Sequence, residues 1–185
     1  MIEVELKASL KDNNFDEIAK TAAALGFQEQ SHLRETDVYF NGKDRDFRKT
    51  DEALRLRSCE DLSGQKRTET LITYKGAKQD ARSSTRIEYE TEVGSLDTMR
   101  KLLDALGFLP MYTVEKKRRE LRLDQVTICL DTVKNLGPYL ELEILAETEQ
   151  QKAAAVDRLL ELLDTLNVPR ENLTRKSYLE LIYLS

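Results

Sequence analysis

The sequence predicts an α+β fold: an eight-stranded antiparallel β-barrel with helices packed on its outside and an internal pseudo-twofold repeat. Three observations predict it. First, charged and apolar residues alternate in several segments: Glu3, Glu5 and Lys7 with Ile2, Val4 and Leu6, Arg55 and Arg57 with Leu54 and Leu56, Glu88 and Glu90 with Tyr89 and Thr91, Glu141 and Glu143 with Leu140, Leu142 and Ile144. In a strand this spacing puts charge on one face and hydrocarbon on the other. Second, Ala24-Leu25-Gly26-Phe27 and Ala105-Leu106-Gly107-Phe108 each close an amphipathic segment that follows an acidic strand, a repeat of roughly 80 residues. Third, helices with apolar stripes must cover the apolar sheet face, so the charged face points away from them. Closing eight strands into a barrel removes the edges and turns that face inward.

The elements follow in order. A strand at Ile2–Leu10 leads to a helix over Asn14–Leu25, with Asn13 or Asn14 as N-cap, a stripe of Phe15, Ile18, Ala19, Ala22 and Leu25, and Gly26 as the stop. Strands at Thr36–Phe40, Ala53–Cys59 and Thr70–Lys75 complete the first unit, separated by polar loops at Asn41–Asp51 and Glu60–Glu69 that carry Gly42 or Gly64. The second unit starts with a strand at Arg86–Val93. Its helix, Ser95–Leu106, has Ser95 as cap, Asp97 in the first turn, a stripe of Leu96, Met99, Leu102, Leu103 and Leu106, and Gly107 at its end. Strands at Tyr112–Leu123, Val126–Val133 and Tyr139–Leu145 follow, with Asp124-Gln125 as a tight turn. A third helix spans Glu149–Leu166 with Val156, Leu159, Leu160 and Leu163 as its stripe, Pro169 marks its end, and a last helical or turn segment covers Tyr178–Leu184.

At 185 residues, 40% hydrophobic and 34% charged, the chain suits one domain, residues 1–185, rather than two. The net charge of -5 and the pI near 5.2 argue against a general nucleic-acid or anionic-membrane binder. No apolar stretch approaches the roughly 18 residues of a membrane span and the N-terminus reads as a charged strand, so a cytoplasmic protein is expected. Cys59 and Cys129 lack metal-type spacing and are expected reduced and packed. His32, the only histidine, rules out a multi-histidine zinc site.

Taken alone, Glu3-x-Glu5-x-Lys7 fits a solvated edge strand as well as a site, because a polar outer face is common in antiparallel sheets. As a site, its carboxylates would stand about 6.6 Å apart, close enough to share a metal ion. The recurrence of the pattern favours the second reading. A barrel interior carrying this many ions cannot be dry, since a desolvated ion costs several kcal/mol and a domain has only about 5–15 kcal/mol of net stability. It must be wet, mixed in sign and liganded. A polyanion bridged by divalent cations satisfies both charge classes: carboxylates hold hard cations, and Arg and Lys hold phosphate oxygens.

Glu3-Val4-Glu5-Leu6-Lys7 resembles the ExExK signature of the CYTH, or triphosphate tunnel metalloenzyme, superfamily. The likeness continues through Thr36-Asp37-Val38-Tyr39-Phe40, Ala53-Leu54-Arg55-Leu56-Arg57, Thr73-Tyr74-Lys75-Gly76, Arg86-Ile87-Glu88-Tyr89-Glu90, Val114-Glu115-Lys116-Lys117-Arg118, Cys129-Leu130-Asp131 and Leu136-Gly137-Pro138-Tyr139-Leu140-Glu141-Leu142-Glu143. Order and spacing are most similar to the class IV adenylate cyclase branch. The resemblance implies a tunnel that binds a triphosphate with Mg²⁺ or Mn²⁺. By position, Glu3, Glu5, Asp131, Glu141 and Glu143 would be metal ligands or their supports, Glu88 and Glu90 would complete the acidic wall, and Lys7, Arg55, Arg57, Lys75, Lys116 and Arg118 would grip phosphate oxygens and stabilise the leaving group. Without the family frame, Lys117, Arg119 and Arg122 leave the inward set of Tyr112–Leu123 open. Glu35 and the Lys176-Ser177-Tyr178 block depart from the family pattern, and both are expected to lie outside the metal and phosphate set.

The implied activity is conversion of ATP to cyclic AMP and pyrophosphate. A hydrolase of tripolyphosphate, thiamine triphosphate or a nucleoside triphosphate is the alternative, and a noncatalytic polyphosphate or nucleotide-binding module is a third. The resemblance and the leucine-rich helix from Val156 to Leu166 are compatible with a homodimer.

Overall fold

The computed structural model describes residues 2–12, 14–64, 68–79, 83–146 and 148–183. Its strands are β1 (Ile2–Ser9), β2 (Gln28–Gly42), β3 (Ala53–Asp61), β4 (Thr68–Lys75), β5 (Arg86–Glu92), β6 (Phe108–Leu123), β7 (Val126–Val133), β8 (Gly137–Ala146) and a two-residue β9 (Leu173–Thr174). Pairing runs β5-β4-β3-β2-β6-β7-β8-β1, and β1 also pairs with β5, so eight antiparallel strands close a barrel. The closing seam is short. Only Ile2 and Glu3 pair with Ile87 and Arg86, after which the amide of Ser84 bonds Glu5 O at 3.0 Å and β9 takes the edge of β1 at Lys7 and Ala8.

The two units are related by a pseudo-dyad that can be located from register. β2 pairs with its own counterpart β6 with Glu35 opposite Lys116, and β1 with its counterpart β5 with Ile2 opposite Ile87. The axis therefore crosses the barrel beside the Glu35–Lys116 pair. It carries Asp37 onto Arg118 and Arg57 onto Asp131, which are themselves directly opposite one another across β2–β3 and β6–β7.

The helices are α1 (Phe15–Ala24), α2 (Leu96–Ala105), α3 (Glu149–Thr165) and α4 (Tyr178–Tyr183). Both short repeat helices end as their glycines require. Gly26 and Gly107 adopt φ of +97° and +85°, a left-handed conformation open to glycine, and the Phe27 amide closes the α1 terminus on Ala22 O at 3.0 Å. Ser95 caps α2 by accepting from the Thr98 amide at 3.2 Å, and Thr148 with Gln151 forms a capping box on α3. Asn14 stands at the N-cap of α1 without a side-chain capping bond, and the alternative cap Asn13 lies outside the described residues, as do residues 65–67 of the Glu60–Glu69 loop and the predicted end of the last segment at Leu184.

The larger core lies between the barrel and α1 and α3, where Val4, Leu6, Ile128, Leu140 and Leu142 meet Ile18, Val156, Leu159 and Leu163. A smaller one joins Leu54, Leu56, Phe40 and Phe47 to Leu103 of α2. The leucines of α3 are thus packed against the outer face of their own barrel. On α2 only Leu103 is buried, and Leu96, Leu102 and Leu106 of the predicted stripe are exposed, as is Leu25 at the end of α1. Among the described residues no helix is long and apolar enough to cross a membrane. Both cysteines are free and buried.

Two strands start well before their predicted bounds. β2 starts at Gln28 rather than Thr36 and β6 at Phe108 rather than Tyr112, because the two strands pair along nearly their whole length. A ladder of that length holds the polar run Gln28–Glu35 extended although it has no alternating apolar face. A bulge between Tyr39 and Phe40 accommodates Pro110 opposite. The loop after β2 is also ordered inward: Phe47 is buried against Phe108, and Asn41 binds Asp46 and the Phe47 amide.

Candidate functional site

Alternation on eight strands aims charged side chains at the barrel axis. They line a cavity of about 400 Å³, within the range of sites for small ligands. Lys7, Arg55, Arg57, Lys75, Lys116 and Arg118 all face it, as do Glu3, Glu5, Glu88, Glu90, Glu141 and Glu143. The inward set on β6 is Lys116 and Arg118, both buried, while Lys117 is exposed and Arg119 reaches Glu29 and Asp16 outside. Asp131 does not line the cavity. It is fully buried behind Arg118.

Asp131 orients its arginine. It accepts from Nε and Nη2 of Arg118 at 2.7 and 2.6 Å, and Asp37 does the same for Arg57 at 2.6 and 2.8 Å. This side-on fork leaves Nη1 of each arginine turned elsewhere: toward Glu35 at 3.0 Å in Arg57, and toward Glu143 at 3.8 Å in Arg118. Lys7 joins Glu5 at 2.7 Å to Glu141 at 3.0 Å, and Glu141 also pairs with Arg118. Lys75 pairs with Glu3 and Glu88. Arg55 reaches Thr73 on the adjacent β4 and Glu90 on β5 beyond it, and its buried Nε has no hydrogen-bond partner. That leaves one donor of a buried guanidinium available to a ligand.

Contrary to expectation, the two departures from the family pattern touch residues expected to grip phosphate. Glu35, 3% exposed, stands 3.0 Å from Arg57 and 3.2 Å from Lys116. Tyr178, at the start of α4, donates to Asp131 at 2.9 Å, and its ring lies under the ammonium groups of Lys7 and Lys116, 4.7 and 5.2 Å from its centroid. Asp37 was missed as well, although Glu35, Asp37 and Tyr39 continue the same two-residue alternation. Tyr178 carries no such signal, because its placement depends on where α4 docks.

Three carboxylates converge on one part of the acidic wall. Glu3, Glu5 and Glu143 each present a carboxylate oxygen within 4.8 Å of the others. Burial and the charges of Glu3, Glu141 and Glu5 push the Glu143 carboxyl well above the usual range, with Arg118 opposing. Burial also raises Glu88, to about 8, against the pull of Lys75, whereas Glu3 is brought down to about 2 because Lys75 and a hydrogen bond with Glu88 outweigh its burial. Three converging oxygens on such a wall fit a hard divalent cation, which favours oxygen ligands and lowers the cost of keeping Glu143 ionised.

The CYTH domain model matches residues 1–178. The chain belongs to the CYTH family. A CYTH relative from Methanocaldococcus jannaschii, named "Putative adenylate cyclase", is 38% identical over 181 residues, 98% of each chain. The structure of the Pyrococcus horikoshii protein PH1819 is similar with a TM-score of 0.88 and 37% identity over 97% of both chains. A Hippeastrum protein described as having a dominant triphosphatase activity shares the fold at TM-score 0.59 and 18% identity, covering 95% of this chain and 90% of its own. The CYTH barrel explains why the charges are so many. Its interior is a charged cavity rather than an apolar core.

Proposed function

We propose that the tunnel is a metal-dependent adenylate cyclase site, in which the phosphate chain of ATP lies between the acidic and basic walls. The observation that carries this reading is the convergence of Glu3, Glu5 and Glu143 in the same cavity that Arg55, Arg57, Lys116 and Arg118 line. Glu3, Glu5 and Glu143 would hold Mg²⁺ or Mn²⁺, with Glu141 and Asp131 in support. Such an ion supplies Lewis-acid polarisation of phosphate and hydroxyl oxygens. Arg57 and Arg118, held by Asp37 and Asp131, together with Arg55, Lys116, Lys75 and Lys7, bind the non-bridging oxygens and take up the charge that grows on departing pyrophosphate. The ribose 3′-hydroxyl attacks the α-phosphorus, the bond to the bridging oxygen breaks, and the hydroxyl proton passes to a tunnel carboxylate.

Positioned water in place of the 3′-hydroxyl would make the same walls a triphosphatase, the chemistry described for the Hippeastrum protein. Incubation with ATP, tripolyphosphate and thiamine triphosphate, each with Mg²⁺ or Mn²⁺, separates the readings by product: cyclic AMP for the cyclase, orthophosphate for the hydrolase, neither for a binding module. Undiminished cyclic AMP formation by metal-free protein or by Glu3→Ala would contradict the proposed mechanism.

A further inference from the structure

Glu35 does not do what the neighbouring carboxylates do. Asp37 and Asp131 grip the Nε and Nη2 edge of their arginines, the geometry that orients a guanidinium and leaves its remaining corner for a ligand. Glu35 instead faces the remaining corner of Arg57, at Nη1, and the ammonium of Lys116 with the same oxygen, at ion-pair distances of 3.0 and 3.2 Å but without a hydrogen bond to either. Its position is central, because the Glu35–Lys116 pair marks the pseudo-dyad of the barrel. Its carboxylate therefore sits where an anion bridging Arg57 and Lys116 would sit, and both residues line the cavity with it.

We infer that Glu35 is an internal competitor for the phosphate chain: it occupies the Arg57–Lys116 anion subsite in the free protein and is displaced from it when a triphosphate binds. The inference rests on the reading of the tunnel as a triphosphate site and names a residue that sets its affinity. The physical consequence is an exchange rather than a simple gain. A phosphate oxygen replaces one carboxylate oxygen on the same donors, so the net binding energy at this subsite is the difference between two charge-assisted contacts. Weakening the grip in this way favours release of a pyrophosphate product from a strongly cationic tunnel.

Glu35 and Asp37 flank the same guanidinium, which makes the inference separable from a general charge effect. Glu35→Gln and Asp37→Asn each remove one negative charge beside Arg57. If charge alone mattered, both would tighten anion binding. If Asp37 orients the guanidinium and Glu35 competes for it, the two variants move in opposite directions. The measurement is calorimetric titration of inorganic tripolyphosphate, at fixed Mg²⁺, into the wild-type protein and the two variants.

Glu35→Gln is expected to bind tripolyphosphate at least tenfold more tightly than wild type, and Asp37→Asn at least tenfold more weakly. Equal or weaker binding by Glu35→Gln, or a shift of both variants in the same direction, overturns the inference. Should Glu35→Gln fail to fold, Glu35→Asp replaces it: one methylene shorter, it keeps the charge but cannot span Arg57 and Lys116 together, and tighter binding than wild type is again expected, with unchanged or weaker binding overturning the inference. A wild-type protein that does not bind tripolyphosphate at all removes the reading of the tunnel itself. That result differs from one in which the wild type binds and Glu35→Gln gains nothing.

Discussion

Arg57 and Arg118 show how single residues are set in this tunnel. Each is a buried guanidinium held edge-on by an aspartate directly across the ladder, and the pseudo-dyad exchanges the signs of the two pairs. Removing one member leaves a buried charge uncompensated. Asp131→Asn should therefore lower stability by about 3–5 kcal/mol in denaturant unfolding, through Arg118, Lys116 and Tyr178 together. The carboxylates here also fix the acid limit of the fold. Glu35 is subject to burial, which raises it, but Arg57 and Lys116 bring it down to about 2. A group depressed in the folded state contributes stability above its unfolded pKa and loses it as pH falls through the folded one. The protein should thus lose stability progressively below about pH 4.5 as pH falls toward about 2, as followed by thermal melting, and a flat profile across that range would contradict the ion pairs described. Much of this was legible in the sequence. Glu3, Glu5, Arg55, Arg57, Glu141 and Glu143 declare themselves by alternation with leucine and valine. Glu35 and Tyr178 did not, because a residue's contacts across a barrel depend on register and docking that spacing alone does not give.

Among the elements, the helices and strands differ in what they risk. α3 packs Val156, Leu159 and Leu163 on the outer face of β1 and β8, away from the cavity. Leu159→Ala should cost about 2–5 kcal/mol in unfolding while leaving the affinity for tripolyphosphate within about twofold, because the inward face of those strands is set by their ladder. Loss of binding in a folded Leu159→Ala protein would show that barrel shape depends on this helix. Ser95→Ala, which removes the α2 cap, should cost about 1 kcal/mol. The helix boundaries were readable because caps, stripes and terminal glycines are local signals, and Gly26 and Gly107 mark their ends within a residue. The first half of β2 was not readable, since Gln28–Glu35 carries no hydrophobic period and becomes a strand through its pairing with β6. The exposure of Leu96, Leu102 and Leu106 was equally hidden, because α2 alone covers the face of β2, β3 and β4, where α1 and α3 together cover that of β1, β7 and β8.

At the scale of the whole molecule, closure is what turns alternating strands into a site. Eight strands close on themselves through a short seam where β1 pairs with β5 and β9, and they bring acids and bases from both units around one cavity. A dry interior of this composition would not fold, so the walls pair with one another and leave a carboxylate end that fits a cation and guanidinium corners that fit phosphate. The eight strands and the inward charge followed from the sequence; the near-complete internal pairing of the cations did not, since it depends on which carboxylate each register places opposite. The central claim is that the tunnel holds a polyphosphate and a divalent cation together. Titration of tripolyphosphate with and without Mn²⁺ into wild type, Arg55→Ala and Glu143→Ala tests it most directly. The account predicts Mn²⁺-dependent binding that weakens by roughly 10- to 100-fold in Arg55→Ala, from loss of about 1.5–3 kcal/mol of charge-assisted contact, and loses its Mn²⁺ dependence in Glu143→Ala. Binding that is the same in all three proteins would contradict it.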